Sequence, residues 1–131
     1  MTINLTDQDK LTLRTAAWGA VSLISAASAG NSAHKAATEA SIALTSATGL
    51  IGHVLAKAPK GVNWGKTVAE LADHVLPALT ASAALLKQQA PDEADNFRRT
   101  ILVAIEAAGH GNPNPTATEM ARKITEAIDA A

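Results

Sequence analysis

Between Thr15 and Ala56 the chain carries two formal charges, Lys35 and Glu39, in 42 residues. A soluble domain has about one charged residue in four, so this stretch cannot present an ordinary solvated surface along its whole length. Either lipid or protein must cover it. Lipid fits poorly. The uncharged window from Thr15 to Ala33 has Trp18, Val21, Leu23 and Ile24 as its only large apolar side chains, among six Ser, Thr or Asn residues and two glycines. Moving such a segment into hydrocarbon gains little, so the expectation is a buried helical hairpin and no membrane span.

Alanine sets the geometry of that hairpin. Thirty of the 131 residues are alanine. In the second predicted helix, Ala33, Ala37, Ala40, Leu44, Ala47, Ile51, Val54 and Ala58 recur in steps of four and three, a heptad seam with mostly small knobs. Its reverse side, Thr38, Ser41, Ile42, Thr45, Thr48, Gly49, Gly52 and His53, consists of short uncharged groups. Small side chains on both faces let other backbones approach closely, which puts this helix at the centre of the fold or of an oligomer.

Local signals punctuate the chain into five helices. Thr6 is an N-cap with Asp7 and Asp9 in the first turn and Leu5 as a staple, opening a helix that runs to about Ala29, before Gly30-Asn31. Asn31 or Ser32 caps the second, which continues to about Lys57 ahead of Pro59 and Gly61. Asn63 is the expected cap of the third, with Trp64, Val68, Leu71, Val75 and Ala78 in its stripe. Pro77 should kink or break it, because it removes an amide donor and crowds the Asp73 carbonyl. Pro91-Asp92-Glu93 starts the fourth, buried through Ala94, Phe97, Ile101, Ala104, Ile105 and Ala108 up to Gly109. After the turn-rich GHGNPNP, the run Thr116 to Glu119 reads as a capping box for a fifth helix facing inward through Met120, Ala121, Ile124, Ala127 and Ile128. The expected architecture is a single all-α domain over residues 1–131. It is a five-helix bundle around a long, Ala-rich antiparallel hairpin.

Composition excludes several activities. Eleven basic and twelve acidic residues give a formal charge of −1, so no global positive field draws nucleic acid or an anionic membrane. Without cysteine there is no thiol nucleophile, thiolate metal site or disulfide framework. The start, MTINLTDQDK, lacks the basic and apolar regions of a secretory signal, and the expected location is the cytoplasm. No cofactor is expected.

The motifs that suggest chemistry are incomplete. Gly61 to Thr67 ends in GKT, yet three residues, not four, separate its glycines and no strand precedes it, so it reads as a linker and helix cap rather than a phosphate loop. Glu70, Asp73 and His74 stand at i, i+3 and i+4, a spacing that puts two carboxylates and an imidazole on one helical face as a candidate metal site. Helical di-metal centres draw ligands from several helices, and the competing reading is a solvated face with an i, i+4 pair. His53, among Gly49, Gly52 and Val54, is read as a satisfied polar group or a pocket donor, and His110 as part of a turn. Trp18 and Trp64 are either wedges among alanines or walls of a pocket. Arg98-Arg99 and Arg122-Lys123 have acids nearby and read as solvated ion pairs.

Two functional expectations follow. The first is a non-enzymatic interaction or regulatory protein acting as a homodimer through its first two helices. The second is a small-ligand- or metal-binding bundle, enzymatic or not, around Trp64, Glu70, His74 and His53.

Overall fold

The structure is a computed structural model that describes residues 5–27, 33–57, 59, 67–109 and 115–131. Among these there are six helices and no strand: α1 (Asp7–Ala27), α2 (Ala33–Thr45), α3 (Gly49–Leu55), α4 (Val68–Gln89), α5 (Pro91–Gly109) and α6 (Pro115–Asp129). The chain is all-α, with one helix more than expected. No helix among the described residues is long and apolar enough to cross a membrane.

The first helix starts where the local chemistry puts it. The Thr6 hydroxyl accepts from the Asp9 amide and the Asp9 carboxylate accepts from the Thr6 amide, each at 3.0 Å. This reciprocal capping satisfies two amides that the helix leaves free. Leu5 packs on the core as the staple.

The centre of the bundle is α1 alone rather than a hairpin. It touches all five other helices, most extensively α4. Ten of its 21 residues are buried: Leu13, Ala16, Ala17, Gly19, Ala20, Val21, Leu23, Ile24, Ser25 and Ala27. They extend around most of the helix, as in a rod enclosed by others. Alanine at four of those positions leaves room for close neighbours. The Ser25 hydroxyl is accommodated by donating to the Val21 carbonyl at 2.7 Å. α2 contacts α1, but its most extensive partner is α5, and it lies at the periphery. Within one chain, therefore, the second helix is not the central one.

The expected second helix is in fact two. It stops at Thr45 and resumes at Gly49, and glycine makes the break possible. Gly49 has φ +73°, a left-handed conformation that costs glycine little. A Cβ at Gly52 would collide with the Ala47 carbonyl oxygen, so no larger residue fits there. The seam is nevertheless kept across the break, with Ala40, Leu44, Ile51 and Val54 all buried.

α4 begins at Val68, and its cap is Thr67, whose hydroxyl accepts from the Glu70 amide at 3.1 Å. Asn63 and Trp64 lie outside the described residues, as do Gly30-Asn31, Ser32 and His110. The helix runs through Pro77 without a break. Pro77 and Asp73 are both exposed, so the carbonyl deprived of its partner lies on the solvated face, where water can bond to it. α5 begins at Pro91 and buries all six positions read from the sequence, around a fully buried Phe97. α6 begins at Pro115, one residue before Thr116, which lies in the first turn and is not the cap. It docks through Ala117, Ile124 and Ile128. The Thr80 hydroxyl of α4 donates to its Ala127 carbonyl at 2.5 Å.

Candidate functional site

The residues singled out as a metal face are placed on the outside. Glu70, Asp73 and His74 lie on the first two turns of α4 and all are exposed. Among the described residues no group of three or more His, Asp or Glu side chains is disposed to hold a metal ion. Glu70 occupies the third position after its cap, so Thr67-Val68-Ala69-Glu70 has the spacing of a capping box, a signal available in the sequence. His53 is exposed on α3, and α3 makes no contact with α4. Ser82 of α4 reaches α1 at Thr12, its hydroxyl 3.4 Å from the Thr12 carbonyl oxygen. The α1 residue that reaches α3 is Arg14, close to that point. His74 and Glu70 are about 12 and 18 Å farther along α4, at about 1.5 Å per residue. His53 is therefore not brought together with Glu70 and His74, and Trp64 lies outside the described residues.

Trp18 is half-buried against the core. Its Nε1 is the one buried side-chain nitrogen or oxygen among the described residues without a hydrogen-bond partner, an arrangement that costs about 1–3 kcal/mol.

The chain's most specific polar constellation surrounds α3. Seven residues are too few for a helix to hold itself, and side chains from two other helices grip its ends. At the start, Glu93 of α5 accepts from the Ile51 amide at 3.3 Å and from Asn96 Nδ2 at 3.3 Å, while the same Nδ2 donates to the Thr48 carbonyl at 3.0 Å. Thr48 itself makes no side-chain cap, so the carboxylate from α5 takes that role. At the other end, Nε of Arg14 in α1 donates to the Val54 carbonyl at 2.8 Å. An anion thus faces the positive end of the helix dipole and a cation the negative end. None of Arg14, Glu93 and Asn96 stood out in the sequence as part of a site. The partners are about 40 residues apart, and no local spacing encodes them. What the arrangement does is hold a short helix in place.

The other charges of α5 and α6 lie at the surface. An open furrow of about 280 Å³ runs along α5, lined by Asp95, Arg98, Arg99, Leu102, Val103 and Glu106. Two acids and two arginines share its lining, which gives no preference for an anion or a cation. Arg98 Nε bonds Asp129 of α6 at 2.9 Å, and this contact holds the Asp129 carboxyl below its ordinary range. Arg122 bonds Glu119 and Glu126 on its own helix. The bond to Arg122 lowers the pKa of Glu119 and, in return, raises that of the guanidinium. Compared with protein-family models, with curated proteins and with solved structures, the chain finds no match.

Proposed function

We propose that this chain is a non-enzymatic interaction or regulatory protein of the cytoplasm that works as a homodimer. The observation that carries this is the outer surface of α2 and α3. From Ala40 to Ala56 there is no formal charge, yet Ile42, Thr45, Ser46, Thr48, Gly49, His53 and Ala56 are exposed. Ile42 is 59% exposed. Two of the three exposed hydroxyls on this face already have partners: Thr45 donates to the Ser41 carbonyl at 3.0 Å and Ser46 to the Ile42 carbonyl at 2.7 Å. Burying groups whose hydrogen bonds are internal costs little, and no like charges meet when two such faces approach. α1 spends most of its surface inside the bundle, so the α2 side of the expected pair is the one free to act.

Light scattering at micromolar concentration tests the proposal. The expected mass is twice the 13.4 kDa of one chain, and Ile42→Glu should shift the protein toward monomer. A wild-type monomer overturns it.

A further inference from the structure

The bend between α2 and α3 is not written in the helical pattern of the sequence. Ala40, Leu44, Ala47, Ile51 and Val54 keep their four-three spacing straight through it, the pattern of one continuous rod. The bend is held by other means: the grip of Glu93 and Asn96 on Ile51 and Thr48, the positive φ of Gly49 and the bare Cα of Gly52. A straight helix needs none of these, since the Ile51 amide would bond the Ala47 carbonyl and every φ would be negative.

One chain alone cannot straighten this segment and keep its core. Ile51, Val54 and Leu55 are fully buried, and α3 packs on α1 and α5. The two most extensive interfaces, α2 with α5 and α1 with α4, both join the part before the break to the part after it. A second copy removes the conflict. If α1 and α2 of each chain pack on α3 to α6 of the other, every one of these interfaces re-forms from the same residues. Only residues 46–49 change conformation, Gly49 giving up its positive φ, and exchange of this kind trades like for like.

We propose that the protein dimerises by exchanging α1 and α2 between two copies, with residues 46–49 taking right-handed helical conformation so that α2 and α3 join as one rod. This rests on the homodimer reading above and adds the exchanged α1–α4 and α2–α5 contacts to those of the outer α2–α3 face. Glu93 and Asn96 act as the latch of the closed monomer. Thr45, Ser46 and Thr48 beside the hinge bring no charge to repel their copies.

The chain has no cysteine of its own, so Thr12→Cys with Ser82→Cys gives a clean cross-link between α1 and α4, whose side-chain-to-backbone approach there is 3.4 Å. The double variant is sized by light scattering, oxidised, unfolded and run without reductant. In the exchanged dimer the disulfide joins two chains and the dimer mass survives unfolding. A native dimer whose disulfide closes within one chain, or forms no bond, refutes the exchange and leaves the homodimer standing, whereas a monomer removes both. Gly52→Ala is an independent measurement without a cross-link. Alanine clashes in the bend but favours the straight helix, so the dimer dissociation constant should fall on the order of tenfold or more. A Gly52→Ala chain that is monomeric or unfolded where the wild type is dimeric overturns the proposal.

Discussion

Replacing Arg14 with Met tests whether the grip on α3 contributes to stability. The substitution keeps most of the apolar stem and deletes the donor. The lost contact is a charge-assisted bond of 2.8 Å to the carbonyl of Val54, a fully buried residue near the end of a seven-residue helix. Bonds of this class contribute about 1.5–3 kcal/mol. Arg14 is only half-buried, and solvent weakens the interaction, so about 1–2 kcal/mol is expected. At about 2.1 cal/mol/K per residue the unfolding entropy of this chain is about 0.28 kcal/mol/K. The melting temperature should therefore fall by about 4–7 °C, as followed by far-UV circular dichroism. Because the acceptor is a carbonyl dipole and not a carboxylate, the loss should be nearly the same at about 0.05 and about 0.5 M salt. A fall below about 1 °C, or one that salt abolishes, would refute the reasoning.

Other substitutions probe the rest of the molecule. Phe97→Ala removes the largest fully buried side chain and should cost about 3–5 kcal/mol, read as a drop in the urea midpoint with unchanged slope; a loss under about 1 kcal/mol would show that α5 is not packed as described. Pro77→Ala restores an amide donor on the solvated face of α4 and should raise stability by about 2 kcal/mol, the helical penalty of proline less its effect on the unfolded chain. No gain in melting temperature would mean the helix has already relaxed around it. The pairing of Asp129 with Arg98 depresses the Asp129 carboxyl in the folded state. Its stabilisation is therefore present above the unfolded value near 4 and lost as pH falls through the lower, folded value. With side chains 44% and 51% exposed, the pair contributes at most about 1 kcal/mol. Arg98→Ala should flatten the stability profile between about pH 5 and about pH 2, and a profile that keeps the wild-type slope assigns that acid sensitivity to another group.

What was legible in the sequence is what neighbours a few residues apart decide. The capping of α1 by Thr6 and Asp9 and the buried face of α5 involve partners within a few turns, and both form as read. Thr67 with Glu70 is equally local, but Glu70 also fits an i, i+3, i+4 face with Asp73 and His74, and spacing alone does not separate a cap from a metal face. The α2–α3 break could not be read from periodicity, since Leu44 and Ile51 belong to the same seam in a bent or a straight chain. A weaker sign was present in Thr45-Ser46-Ala47-Thr48-Gly49, a run poor in helix formers apart from Ala47. The choice between bent and straight lies with Glu93 and Asn96, more than 40 residues away.

Low charge turned out to describe two different surfaces. Residues 15–27 are uncharged because α1 is enclosed, whereas residues 40–56 are uncharged while seven of their side chains or backbones face outward. Composition cannot separate these cases; the helix that contacts every other is distinguished only by where it sits. For the second stretch, the want of charge is not explained by the packing of one chain. Its internal hydroxyl bonds, its seam continuing through a bend, and two glycines that permit the bend all lie within one 17-residue segment. A segment needed only as a loop would be free to carry the charges that loops usually carry. That this one carries none, while its seam is kept in register, fits the proposed rod shared between two copies.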